Sequence, residues 1–281
     1  MRMKALLLAT IFMAFQAQAA ESIVLEVKRL ANRVYNTVTT TTTSNEFNLK
    51  APKETMDQFE ASGVKLPLTV KQEQTVINTL KTSAAQDNGD IPFTGTLETT
   101  AKVESSAKQA NQSTQKRFEL AGVYREGVLA IDSVKGDGVT PELEGAIKKA
   151  LVKVMQSVQY SKDPITVGQT FSQAVPVSIP MQGAAPVQML MTTHYTLKSI
   201  KGKKAHFDIK QEYALAPGAT SSAVTLNGSG TGTMVYDGAL YDVTSMATNS
   251  TMNMTVQSGE MQSIVKTVTG TDTKTTVKPN K

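Results

Sequence analysis

Two histidines, His194 and His206, and no cysteine are available for nucleophilic or metal chemistry in a chain of 281 residues. Both histidines fall on the polar side of alternating segments that flank a predicted hairpin. With Asp208 or Glu212 they could hold a metal ion weakly, but a pair of solvated polar residues accounts for them as well. Without cysteine a structural zinc site has no plausible ligand set, and a Ser-His-Asp arrangement would have to use one of the same two imidazoles. The carboxylates are scattered. Asp132, Asp137 and Asp163 stand at element ends, and Asp237 and Asp242 bracket a turn, where such residues cap and turn the backbone. No two share an apolar setting suited to acid–base work. The sequence therefore points away from an enzyme and offers no catalytic residue, metal site or cofactor.

Methionine carries the one biased signal. Eight of the 13 lie beyond residue 158: Met181, Met189, Met191, Met234, Met246, Met252, Met254 and Met261. Met189 and Met191 share a strand face with Val187, Tyr195 and Leu197, and Met252 and Met254 share one with Met246 and Val256. Methionine repacks easily and suits surfaces that accept varied apolar ligands. An apolar ligand or lipid would then be bound by Met189, Met191, Tyr195, Leu197, Phe207, Met252 and Met254, with Leu151 and Met155 facing them from a helix. Ordinary core packing is the competing explanation of the same residues.

That helix is residues 140–158. Leu143, Ala146, Ile147, Ala150, Leu151, Val154, Met155 and Val158 recur at helical spacing, with Glu142, Glu144, Lys148, Lys149, Lys153 and Gln156 opposite. Thr140 can cap its first turn, Pro141 suits the first helical position, and Glu142 and Glu144 complement the positive end of the dipole. A stripe this apolar needs a surface, and nearly everything around it reads as strand. Residues 22–30, 33–44, 66–82 and 91–107 alternate or are β-branched, and VTTTTTS at 38–44 favours extended backbone with one wet face. A second, short helix is expected at 52–62. Residues 117–134 form a hairpin with its tip at Arg125-Glu126-Gly127. Strands then follow at 170–179, 187–200, 205–213, 224–236, 240–256 and 261–277, with a loop at 180–186 and tight turns elsewhere, hence an antiparallel meander. Gly228, Gly230 and Gly232 occupy alternate positions of one strand, which implies a bend or the close approach of another element rather than a phosphate loop.

The first nineteen residues read as a cleaved leader: Arg2 and Lys4, an apolar run from 5 to 15, then Ala17-Gln18-Ala19. Export to the periplasm or beyond follows, and no cysteine sits after the cleavage site to take a lipid anchor. No other stretch is long enough for a membrane helix. Without Arg2 and Lys4, 27 basic side chains face 24 acidic ones. That balance is too small and too dispersed for nucleic acid. Aromatics, at 5%, are too few for the two girdles of a transmembrane barrel.

The run YSKDPITVG at 160–168, followed by Gln169-Thr170-Phe171, resembles a family of exported bacterial β-rich proteins known only as a domain of unknown function. YTLKSIKGKKAHFDI at 195–209 and GTGTMVYDGAL at 230–240 are similar to the two blocks that follow in that family, so the likeness covers about 117–277. It implies export and a β-rich fold and brings no catalytic residues. The plan of one helix amid long strands also looks like that of periplasmic lipoprotein carriers, incomplete barrels whose open side is covered by helices. The expected fold is thus a β-rich α+β domain: a long antiparallel curled sheet, a half-barrel or open barrel, packed on one central amphipathic helix. One domain spans 20–281, with a β half at 20–138, the helix at 140–158 and the meander at 165–277. The expected function is noncatalytic binding of an apolar ligand or lipid in the cell envelope. The alternative is a structural or protein-interaction module with an envelope protein partner.

Overall fold

The computed structural model describes residues 21–61, 63, 65–106, 112–125, 128–157, 163–181, 184–217 and 223–280, with backbone alone at 152–157, 180–181 and 184–185. The leader and the hairpin tip at 126–127 lie outside these residues. In chain order the elements are β1 (Ser22–Ile23), β2 (Arg33–Lys50), α1 (Lys53–Ala61), β3 (Leu68–Thr82), β4 (Ile91–Ser105), β5 (Gln112–Arg125) and β6 (Val128–Gly136). Then come α2 (Pro141–Ser157), β7 (Ile165–Thr166), β8 (Thr170–Met181), β9 (Ala184–Lys201), β10 (Lys204–Leu215), β11 (Val224–Asp237), β12 (Asp242–Ser258) and β13 (Met261–Pro279).

Eleven strands form one antiparallel sheet in the order β6-β5-β4-β3-β2-β13-β12-β11-β10-β9-β8, and β1 pairs separately with β7. Each chain half is a meander, and the two are zipped together by β2 and β13 over eighteen paired rungs, from Arg33–Pro279 to Lys50–Gln262. Threonine explains why this seam is so long. On one face Thr37, Thr39, Thr41 and Thr43 lie across from Thr275, Thr273, Thr271 and Thr269, and the hydroxyls of Thr37–Thr275 and Thr39–Thr273 are 3.1 Å apart. Cross-strand threonine pairs stabilise a ladder while leaving it partly wet.

The sheet is open, and its two edges are treated differently. Along β6, Glu144 of α2 accepts the Val134 N–H at 3.2 Å, Lys148 donates to the Asp132 carbonyl at 2.5 Å, and the two side chains pair at 2.8 Å. The helix therefore occupies the hydrogen-bonding positions a further strand would take. On β8, Pro176 and Pro180 have no N–H to give. The carbonyl of Gln169 already faces β9 through Leu197, so even-numbered residues, both prolines included, face outward and blunt that edge.

Three expectations need correction. α2 is not central: it flanks β6, where Ile147 and Leu151 reach the cluster around Leu120 and Tyr124, and Leu143 stays 42% exposed. Glu144 and Lys148, placed by periodicity on the solvent side, are edge ligands instead. The 180–186 loop is mostly strand, since β8 and β9 pair as far as Met181–Ala184. Of residues 22–30, only Ser22–Ile23 is strand, and the rest forms a strap with a different task.

Candidate functional site

The strand register fixes which residues share a face across the whole sheet. One row runs from Lys116 through Thr99, Val76, Thr39, Thr273, Met246, Met234 and Phe207 to Leu197. A second runs from Val175 through Met191, Tyr213, Gly228, Met252, Thr267 and Asn45 to Val70. All these residues share a face, because antiparallel partners point the same way. Apart from Arg33 at the start of β2, Lys116 is the one charged side chain that the described strand residues pair into this face. The opposite face carries the charges: Lys71, Glu73, Lys102, Asp208, Lys210, Glu212, Lys266 and Asp272 are all exposed there.

Two observations make the uncharged face the concave one. The first is glycine placement. Gly95, Gly122, Gly136, Gly228, Gly230 and Gly232 all lie on it, and a Cβ at each would stand within 3.0 Å of atoms on a neighbouring strand. At Gly122 and Gly232 the obstacle is a carbonyl oxygen only 2.1 Å away. Side chains converge on the inside of a curl, and glycine removes the crowding. The second is the strap, residues 24–32. Arg29 pairs with Asp242 at the start of β12, lies close enough to the Tyr124 hydroxyl of β5 to lower its pKa against burial and stacks 4.7 Å from the Tyr35 ring of β2. Five strand spacings separate β5 from β12, roughly 24 Å on a flat sheet. One side chain can touch both only if the sheet curls around it.

The strap end of this trough is filled. Leu25 of the strap and Ile165 of β7 pack with Leu197, Phe207, Ile209, Met234 and Tyr236. The Tyr236 hydroxyl donates to the Glu26 carbonyl at 2.7 Å and the Tyr35 hydroxyl accepts the Leu30 N–H at 2.7 Å. Burial disfavours charge on Arg29, yet Asp242 and Tyr124 outweigh it and hold its pKa above the ordinary value. Burial likewise raises the Tyr124 and Tyr195 hydroxyls. Away from the strap the trough is threonine-, glutamine- and methionine-lined and mostly half-buried, and Asn78 Oδ1 is buried within it without a partner.

Of the sequence-predicted residues, Tyr195, Leu197 and Phe207 belong to the strap-end cluster, where Phe171 stacks on Tyr195 at 4.8 Å and meets Phe207 edge-on at 6.0 Å. Met191 and Met252 share a row three strands apart, half-buried, with Tyr213 and Gly228 between them. Met189 and Met254 lie buried toward the far end. Leu151 joins the other cluster with Tyr35, Leu80 and Phe93, so the structure does not bring it to the methionines. The Met155 side chain lies outside the described residues. Lys116, Tyr213 and the strap's Arg29 are additions. The alternation of β5 from Phe118 onward, carried back two residues, held the signal for Lys116, whereas nothing local singles out Arg29.

The two histidines do not face each other. His206 is opposite Ser199 and His194 opposite Lys210, both on the charged face, and His194 Nδ1 lies 2.7 Å from the Ser172 hydroxyl. Among the described residues no three His, Asp or Glu side chains converge as a metal site. Grooves of about 430 and 320 Å³ lie largely on the charged face, around Lys81, Arg117 and Lys135 and around Lys71, Glu73 and Lys102. A third of about 520 Å³ lies beside Met56 and Phe59 of α1. None is lined by the methionines named above.

No family model matches the chain, and no curated protein does. Among solved structures it is similar to the translocator domain of autotransporter NalP from Neisseria meningitidis, at 7% identity, over 87% of this chain and 90% of that one, with a TM-score of 0.22. It is also similar to the transport unit of the autotransporter AIDA-I from Escherichia coli, at 9% identity, over 96% and 94%, with a TM-score of 0.20. Neither is a lipoprotein carrier, and overlaps this slight carry no argument about function.

Proposed function

We propose that this protein is an exported, noncatalytic component of the cell envelope that holds an apolar ligand or lipid in the trough of its curled sheet. The observation that carries the reading is the division of charge: the concave face is almost uncharged and half-buried, while the convex face carries exposed ions throughout. A water-soluble carrier needs this polarity, with hydrocarbon inside and ions outside. A bilayer-spanning barrel needs the reverse, and mid-strand Lys71, Glu73, Lys210 and Glu212 oppose an apolar outer band. The strap and α2 fill one end, so a ligand enters from the other, over Met191, Tyr213, Met252 and Val70.

Native mass spectrometry of protein purified from its own host tests this reading. A retained nonprotein mass of several hundred daltons, extractable into organic solvent, is expected. A second reading, a protein-interaction module, draws on the polar grooves of the convex face. Recovery of the bare chain with a stoichiometric protein partner would favour it instead.

A further inference from the structure

We infer that the trough's ligand is a singly charged anionic amphiphile, and that Lys116 receives its head group. The inference rests on the trough reading and names its substrate class. Lys116 is exposed and faces into the concavity, opposite Thr99 of β4. It stands two residues along β5 from Phe118, which packs against the cluster around Leu120 and Tyr124. β6 ends opposite Phe118, so Lys116 lies at the rim, where its ammonium reaches water. Among the described residues, this cation on an inner face otherwise built mainly of threonine, glutamine and apolar side chains has no structural partner to explain it. Arg33, the other positive residue of that parity, lies at the strap end and donates to the Asn32 carbonyl.

From Lys116 the inner face offers Val76 and Ala101, then Val70, then Met252 and Met191. Lys116 and Met252 are five strand spacings apart across the sheet and six residues apart along the strands, roughly 31 Å on a flat sheet and less across the curl. An acyl chain can lie along that course with its carboxylate or phosphate at the rim. One cation matches one negative charge, and a second anionic group would have no counterpart. Neutral lipids would forgo the contact, and cationic ones would be repelled.

Calorimetric titration of the full chain with oleate and with oleyl alcohol, each below its aggregation threshold, tests the assignment. Both should bind, oleate more tightly. Lys116→Gln should weaken oleate roughly fivefold, the upper end for an exposed ion pair, and leave oleyl alcohol unchanged. Lys102→Gln, on the convex face one strand away, should change neither. Equal loss of both probes in Lys116→Gln, or no loss of either, overturns the head-group assignment while leaving the trough reading intact. Failure of the wild-type chain to bind either probe overturns both. Circular dichroism melts of the two variants confirm folding, and Lys116→Arg should restore oleate binding where charge is what matters.

Discussion

Replacing Arg29 by methionine should loosen the whole curl, because this side chain bridges the walls of the trough at its filled end. Its side chain is 16% exposed and that of Asp242 is 13% exposed. Removing the guanidinium leaves a mostly buried carboxylate without its counterion, which typically costs about 3–5 kcal/mol. The Val243 N–H still donates to Asp242 at 3.0 Å, which moderates that penalty. The contact with the Tyr35 ring, of order 1 kcal/mol, is lost as well. About 4 kcal/mol is expected in all. In urea, with a slope near 3 kcal/mol/M, the unfolding midpoint should fall by about 1.3 M. Lys28→Met, which removes an exposed pair with Glu26, is the control and should shift it by less than about 0.2 M. The double variant Arg29→Met, Asp242→Leu should recover most of the loss, since the stranded charge is gone. Equal midpoints for Arg29→Met and Lys28→Met would refute the strap as the element that holds the curl.

Leu151→Asp should destabilise by about 2 kcal/mol, because it drives a charge into the cluster beneath α2, while exposed Lys149→Asp should be nearly silent in the same melt. Gly232→Ala should cost about 3 kcal/mol by thrusting a methyl into the Ala247 carbonyl. Gly145→Ala, in α2 with nothing within 4 Å of the new carbon, should stabilise by about 0.5–1 kcal/mol; both are read from urea midpoints. Asp90 is 5% exposed, and the Arg125 guanidinium at 2.9 Å holds its carboxyl below the usual range. A depressed folded-state pKa gives stability that is complete above the unfolded value near ~4 and is lost as pH falls through the lower folded value. Asp90→Asn should therefore flatten the melting-temperature profile below about pH 4, and an unchanged acid limb would contradict the pairing.

Most strands were legible because this chain alternates cleanly: Ala205, Phe207 and Ile209 face in and His206, Asp208 and Lys210 face out, as periodicity requires. The start of α2 was legible through Thr140, whose carbonyl accepts the Glu144 N–H at 2.8 Å. Its location was not. Amphipathicity reports that a face is buried, never which part of a sheet buries it, and Glu144 and Lys148 look like solvated ions until a strand edge is placed beside them. The loop at 180–186 was misread from Pro180 and Pro186: Pro180 sits on the open edge strand β8, where the lost N–H costs nothing, and Pro186 falls inside β9. The seam between β2 and β13 joins residues more than two hundred apart, so local pattern could not supply it. The Arg29 clasp has the same origin. Of the candidate ligand residues, the methionines were visible as a bias, but their separation from Leu151 depends on strand order. The face shared by Gly228, Gly230 and Gly232 was read correctly; that it is the concave face needed the register.

The most direct measurement exploits the absence of cysteine. Thr41 and Thr42 are consecutive residues of β2, opposite Thr271 and Gly270 of β13, and differ in which face they present. Thr41→Cys and Thr42→Cys, each carrying an environment-sensitive fluorophore, would be titrated with oleate. A blue shift that saturates at one equivalent in the Thr41 conjugate, with no response at Thr42, is the predicted result. A response at Thr42 with none at Thr41 would place the ligand on the convex face and contradict the account.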